Sequence, residues 1–383
     1  MMALEAEWIG RTETQRVCAV LTEAGYQAWF VGGCVRNTLL QQPVSDIDIT
    51  TDARPETVLD LARDAGLRSV PTGMAHGTVT LVCAGVPYEV TTMRRDVETD
   101  GRHAVVAYAE TIEEDAHRRD FTMNAIYAKP DGQLHDPLGG LADLAARRVR
   151  FIDDPDQRIS EDFLRILRFF RFHAWYGDPA TGPDPDALAS IGNHVEGLNT
   201  LSRERIGAEM RKLLAAPDPA PAIATMRTLG VLAHVLPGAE DSALAPLVHL
   251  EHETGSTPDA MRRLAAIGGD DPKNMLRLSR AELRTFAQLR EAVGTPDMAA
   301  ALGYRHGADR ARDILLLRAA MLQTPFDPSE LAAVERGANA RFPVKAADLV
   351  PAFKGAELGR KLKELEQRWI ESEFRLTRED LVG

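Results

Sequence analysis

Cysteine is scarce, with Cys18, Cys34 and Cys83 the only three in 383 residues. Their unrelated spacings exclude a disulfide framework or a cysteine zinc site and favour a reducing cytoplasm. No apolar run approaches the roughly 18 residues of a membrane-spanning helix. Glu5 and Glu7 stand where a secretory leader would be basic, so a cytosolic protein with no membrane partner is expected. Excess positive charge is missing too: 45 Lys and Arg face 57 Asp and Glu, a net charge of −12. That balance is the reverse of most nucleic-acid-binding chains. Arginines nevertheless gather locally, at Arg118, Arg119, Arg165, Arg168, Arg171, Arg203, Arg205 and Arg211, which predicts a basic channel on an acidic body. Internal repeats and low-complexity tracts are absent, and the sequence leaves the oligomeric state open.

With 44% hydrophobic residues, a chain of this length can bury several cores and suits two to four domains. Apolar strand candidates fall at residues 27–32, 46–51, 77–83 and 86–92, and Pro130-Asp131-Gly132 marks a turn between two more short strands. Past residue 140, Leu, Ala, Arg and Glu dominate in helical patterns, broken at 177–185, 217–221, 268–272 and 324–328. The expected class is α+β: a mixed-sheet head (1–140) followed by an all-helical neck (141–215), body (216–310) and tail (311–383).

The densest chemistry lies in Val31-Gly32-Gly33-Cys34-Val35-Arg36-Asn37 and Ser45-Asp46-Ile47-Asp48-Ile49. An apolar strand runs into a Gly-Gly turn and then a helix, a geometry that lets backbone N–H groups approach phosphate oxygens. Arg36 sits in the first turn of that helix, within reach of a triphosphate. If Asp46 and Asp48 share a strand, their side chains share a face with Cα atoms about 6.6 to 6.8 Å apart. Two carboxylates so placed suit a pair of Mg2+ ions, which about 3.5 to 4 Å apart clamp the attacking and leaving oxygens of an in-line displacement at phosphorus.

Further motifs give this chain its resemblance. It resembles the class II tRNA nucleotidyltransferases, the CCA-adding and poly(A) polymerase branch of the DNA polymerase beta superfamily, over nearly its whole length. The first family motif, Gly-Gly-x-Val-Arg-Asp with Asp-x-Asp, matches Gly32 to Asn37 and Asp46 to Asp48, and Asn37 departs from the usual Asp. Arg118 to Ala125 match Arg-Arg-Asp-Phe-Thr-x-Asn-Ala, and Asp136-Pro137-Leu138-Gly139-Gly140 matches a hinge motif. Glu161-Asp162-Phe163-Leu164-Arg165 matches the base-reading Glu-Asp-x-x-Arg, and Glu204-Arg205-Ile206-Gly207-Ala208-Glu209 completes the set. The resemblance implies a nucleotidyltransferase head that adds C, C and A to tRNA from CTP and ATP with two Mg2+ ions. It implies triphosphate and ribose contacts for Arg119, Asp120 and Asn124, although helix salt bridging through Asp115–Arg119 and Glu114–Arg118 is an alternative for the arginines. It also implies a flexible segment at residues 94–107, whose loss would suggest CC addition alone.

A helix from about Ser160 to Trp175 places Phe163, Ile166, Leu167, Phe170 and Ala174 on one face and Arg165, Arg168 and Arg171 on the other. Asp162, three residues before Arg165, lies within its reach. A carboxylate beside a guanidinium can template a base: the carboxylate accepts from an exocyclic amine and the guanidinium donates to a ring nitrogen or carbonyl. Cytosine and adenine both satisfy such a pair. Uracil and guanine oppose it, at about 1 to 3 kcal/mol for each group left unpaired.

Glu89 reads either as a third catalytic carboxylate or as an exposed strand acid. His76 reads as a turn residue, and His249-Leu250-Glu251-His252 as a solvated helix face without metal spacing. Three rivals share these motifs: a poly(A) polymerase, an enzyme adding only CC or only A, and an RNA-binding protein with an inactive head. In the resemblance, Val70-Pro71-Thr72-Gly73-Met74 favours CCA addition over the first.

Overall fold

The computed structural model describes residues 3–74, 77–100, 103–350 and 352–383; His76 lies outside them. The chain divides into two compact units, one of Met1–Ser202 with Leu229–His234 and one of Arg203–Thr228 with Val235–Gly383.

The first unit opens with helices α1 (Glu7–Gly10) and α2 (Thr12–Thr22), strand β1 (Trp29–Val31), α3 (Gly33–Leu39), β2 (Asp48–Thr51) and α4 (Pro55–Asp64). Strands β3 (Arg68–Gly73), β4 (Thr78–Cys83) and β5 (Val86–Thr92) follow, then a hairpin of β6 (Arg94–Asp100) and β7 (His103–Tyr108). After α5 (Ile112–His117) come β8 (Tyr127–Ala128), β9 (Leu134–His135), α6 (Gly140–Ala145), α7 (Pro155–Glu161), α8 (Leu164–Tyr176) and α9 (Pro185–His194).

Seven strands form one sheet in the order β3-β4-β5-β2-β1-β8-β9. Only β2 and β5 run parallel, so the sheet is mixed. Within β2 and the residue before it, Ile47 and Ile49 are 6% and 0% exposed, and burying that side fixes the register. Strand β3 was not foreseen because it carries Pro71, which is tolerated here at a sheet edge. Within the segment 94–107, strands β6 and β7 pair antiparallel with one register shift between Asp96 and Glu98.

The hinge motif is a packing device. Asp136 accepts from the Gly140 and Leu141 amides at 2.7 and 2.9 Å, capping α6. A Cβ on Gly140 would lie 2.2 Å from the Thr122 carbonyl oxygen, so this helix start abuts the backbone of the second motif.

The second unit is built of helices in its described residues, from Arg203–Leu214 to Arg378–Val382. One core gathers Leu247, Leu289, Leu302, Ile314, Leu317 and Val334; another gathers Val344, Leu349, Leu365, Trp369 and Leu381, with Tyr304 packed against it. Glu251 is 1% exposed and pairs with Arg262 and Arg263, each at 2.7 Å. That corrects the reading of residues 249–252 as a solvated face: His249 and His252 are exposed, but the acid between them turns inward to two buried guanidiniums.

Helices Ala299–His306 and Ser329–Asn339 meet through glycine. A Cβ on Gly337 would stand 1.9 Å from the Ala300 carbonyl oxygen, and one on Gly303 would stand 2.1 Å from that of Val334. Gly337→Ala therefore forces the helices apart and is expected to destabilise this unit by about 2 to 3 kcal/mol, read as a lowered urea midpoint.

Candidate active site

Strand β1 ends at Val31 and the chain turns at Gly32, whose φ of 74° suits glycine alone among common residues. A Cβ there would lie 3.7 Å from Asp48 Oδ2 and 3.8 Å from Arg119 Nη1. The Gly32-Gly33 turn, the acid and the arginine thus converge on one spot. Cys34 and Val35, both 0% exposed, anchor α3 beneath it, and burial pushes the Cys34 thiol up to about 12.

Asp48 opens β2 and stands opposite Glu89 of the parallel β5. Its carboxyl is raised from the ordinary 3.8 to about 6 by burial, then by the neighbouring charges of Glu89 and Asp46, against the pull of Arg119 and Arg36. Asp46 is not on the strand. The ladder to β5 begins at Asp48, so Asp46 lies in the exposed approach to it, accepting from the Ser45 hydroxyl at 2.8 Å. Ile47 and Ile49 are buried on either side of Asp48, while Asp46 falls just outside the strand predicted to carry both aspartates. Glu89 is exposed on the strand beside Asp48.

This donor set suits a hard divalent cation. All three groups are carboxylates, and their mutual repulsion, felt at Asp48, would be relieved by positive charge. Among the described residues, no three His, Cys, Asp or Glu side chains converge into a closed metal cage. Mg2+ typically takes only one or two protein carboxylates and completes its shell with water and substrate phosphates.

Arg119 is fixed from behind. Its Nε and Nη2 donate to Asp115 Oδ2 at 3.2 and 2.9 Å, and Nε also reaches the Tyr127 hydroxyl at 3.1 Å. Asp115, 0% exposed, also accepts from Arg118 Nε at 2.7 Å and the Tyr127 hydroxyl at 2.9 Å. Burial alone would raise the Asp115 carboxyl, but Arg119 and Arg118 hold it well below the usual range.

Arg36, 7% exposed, donates through Nη1 to Asn124 Oδ1 at 2.5 Å and through Nη2 to Asn37 Oδ1 at 2.8 Å and the Tyr176 hydroxyl at 2.9 Å. Asn124 in turn donates to Asp120 Oδ1 at 2.9 Å, and Asp120 Oδ2 accepts from Arg168 Nε at 2.8 Å. Phe172 is a hub for cations, with Arg36, Arg168 and Arg171 at 5.0, 5.5 and 4.4 Å from its ring centre.

The base-reading motif departs from expectation. One helix from Ser160 was predicted, but the chain breaks at Asp162, extended at φ −155°, between α7 and α8. The Asp162 carboxylate accepts from the Leu164 amide at 3.1 Å, opening the second helix. Arg165 binds Glu161 Oε2 at 2.5 Å and the Arg158 and Arg118 carbonyls at 2.6 and 3.3 Å. A carboxylate that Arg165 binds is therefore Glu161, the residue before the Asp162 predicted to pair with it. The apolar face is also wider than drawn, because Phe169 and Phe172 are 0% and 3% exposed. Arginines expected to line a basic channel are in ion pairs: Arg118, Arg119, Arg165 and Arg168 all carry carboxylates, and Arg211, in the second unit, pairs with Glu282.

A family model described as the Poly A polymerase head domain matches residues 28–150, and one described as a probable RNA and SrmB-binding site of polymerase A matches residues 183–242. CCA tRNA nucleotidyltransferase 1, mitochondrial, of Mus musculus is 31% identical over 380 residues, spanning 95% of this chain and 87% of that protein. The chain belongs to the CCA-adding tRNA nucleotidyltransferase family. The CCA-adding enzyme of Anoxybacillus flavithermus is 39% identical over 221 residues, 57% of this chain and 54% of that enzyme. The crystal structure of Bacillus stearothermophilus CCA-adding enzyme in complex with CTP superposes with a TM-score of 0.71 at 28% identity, covering 94% of this chain and 93% of that one.

Head domains of this nucleotidyltransferase family work with metal ions. Within the family framework, three parts of the site escaped the sequence reading. Asp115 showed only as a helix-spaced partner of Arg119, and nothing betrayed that it is buried. Tyr127 and Tyr176 reach their arginines across 8 and 140 residues, separations at which no local pattern survives.

Proposed function

We propose that this protein is a CCA tRNA nucleotidyltransferase, adding C, C and A in turn to the 3′ end of tRNA from CTP and ATP with release of pyrophosphate. The observation that carries the reading is the convergence of the Gly32 turn, Asp48 and Arg119 on one spot, in a chain similar to CCA-adding enzymes along nearly its whole length.

Asp46 and Asp48 would hold two Mg2+ ions, which when bound supply an activated RNA 3′-hydroxyl and a stabilised leaving group. Glu89 adds negative charge beside Asp48. The backbone amides of Gly32 and Gly33 and the guanidiniums of Arg36, Arg119, Arg168 and Arg171 bind the triphosphate and share the charge of departing pyrophosphate. Asp120 acts by fixing Arg168 and Asn124 rather than by direct contact, since both its oxygens already accept hydrogen bonds within the protein. Asp162 and Arg165 read the base. Arg165 is held for this by Glu161 and two backbone carbonyls through Nη1 and Nη2, bonds that use three of its five N–H donors.

In this reading residues 1–140 form the catalytic head, 141–215 the base-reading neck, 216–310 the body and 311–383 the tRNA-gripping tail, where helix Gly355–Glu371 would contact the RNA by shape and backbone. The free Cys18, Cys34 and Cys83 suit a reducing compartment such as the cytoplasm, and no helix is long and apolar enough to cross a membrane among the described residues.

A tRNA lacking its terminal triplet, offered CTP, ATP or both, tests the proposal. Growth by two nucleotides with CTP and by three with both is expected. Long adenosine tails would instead identify a poly(A) polymerase, arrest after two with both substrates a CC-adding enzyme, and no growth at all an inactive head.

A further inference from the structure

We propose that Asn37 is a positioning residue that aims Arg36 at the triphosphate and leaves the guanidinium without a carboxylate partner until that triphosphate arrives. The inference rests on the reading of Arg36 as a triphosphate ligand and adds how this chain keeps the ligand available.

Among the arginines of the site, Arg118 and Arg119 share Asp115, Arg165 holds Glu161 and Arg168 holds Asp120. Arg36 differs. It is 7% exposed, yet each of its hydrogen bonds ends on a neutral acceptor: the amide oxygens of Asn37 and Asn124 and the hydroxyl of Tyr176. Its faces lie against the rings of Phe172 and Tyr176, with centroids at 5.0 and 4.2 Å. Asp48 and Asp120 are nearby acids, but Arg36 hydrogen-bonds neither: the Asp120 oxygens are taken by the Phe121 amide, Asn124 and Arg168, so Arg36 reaches it only through Asn124. A buried guanidinium whose hydrogen bonds all go to neutral dipoles is costly to the empty protein and gains from an incoming anion.

Asn37 grips two corners of that guanidinium, accepting from Nε at 3.2 Å and Nη2 at 2.8 Å on Oδ1. Its orientation is determined, because Nδ2 donates to the Pro43 carbonyl at 2.9 Å; a flipped amide would set donors against donors and an acceptor against an acceptor. A carboxylate at this position, the usual residue of the motif that the chain resembles, would form a side-on ion pair with Arg36 and face the Pro43 carbonyl with a second acceptor. The resident Asn keeps the aim and withholds the counter-charge.

The test compares the full-length wild type with Asn37→Asp and Asn37→Ser, measuring CTP affinity by calorimetry, KM and kcat for incorporation into truncated tRNA, and melting temperature without nucleotide. Asn37→Asp is expected to melt higher when empty, to bind CTP about tenfold more weakly and to raise KM more than it lowers kcat. Asn37→Ser, neutral but short, is expected to melt lower than wild type yet keep a CTP affinity closer to it than Asn37→Asp does. Wild-type CTP affinity and KM in Asn37→Asp would overturn the proposal, as would parallel losses of melting temperature and affinity in both variants, which mark a merely structural residue. A wild type that binds CTP but extends no tRNA would defeat the functional reading instead, while the comparison of CTP affinities would still decide the role of Asn37.

Discussion

Asp48→Asn is expected to lower nucleotide incorporation by about a thousandfold or more while raising the melting temperature of the metal-free protein by a few degrees. The two effects share a cause. The Asp48 carboxyl sits at about 6 instead of 3.8, because burial and the charges of Glu89 and Asp46 oppose its ionisation. A carboxyl raised in the folded state contributes stability that is full below its unfolded value and lost as pH rises through the folded one. At pH 7 to 8 the ionised Asp48 is therefore a burden that Asn removes. Function needs that same ionised form, so incorporation at limiting magnesium should decline as pH falls through about 6, and more magnesium should move the decline to lower pH by competing with the proton. An Asn variant that melts lower than wild type, or incorporates at a normal rate, would remove Asp48 from the role given to it.

Asp115→Ala should produce the largest loss of stability among the site residues, about 3 to 5 kcal/mol, since it leaves the partly buried guanidiniums of Arg118 and Arg119 without their carboxylate. The Tyr127 hydroxyl and the Arg94 amide, which also donate to Asp115, lose their acceptor at the same time. Asp115→Asn, which keeps the shape without the charge, should cost less stability yet still free Arg119 to wander, raising KM for CTP and ATP alike. Acid behaviour separates the charge from the shape. Because the folded carboxyl lies far below its ordinary 3.8, its contribution is present above that value and is lost as pH falls through the folded one. Wild-type stability should therefore drop more steeply in acid than that of the Asn variant, as read by urea unfolding between pH 5 and pH 2 or so.

Legibility in the sequence followed the range of the interactions. Strand β4 was readable because buried residues alternate along it, as Val79, Leu81 and Cys83 do, and the Gly-Gly turn because Gly32 must adopt a conformation that few other residues accept. Strand β3 escaped because Pro71 argues against a strand and only its place at the sheet edge excuses it. The break at Asp162 escaped because Ile159, Phe163 and Ile166 keep helical spacing across it, and periodicity does not register a single extended residue. The ion-pair partner of Arg168 was invisible for another reason: its acid comes from 48 residues away, a separation that charge spacing along one helix does not register.

The paired glycines at 303 and 337 have a consequence for how the C-terminal part of the chain breathes. Leu302 belongs to one apolar cluster and Tyr304, two residues on, packs against the other, so a single crossing of backbones rivets both clusters together. Amide protons near Leu317 and near Leu365 should then exchange with solvent through the same rare opening rather than separately, and trimming the last forty or so residues would strip the cover from Tyr304 and loosen helices far upstream of the cut.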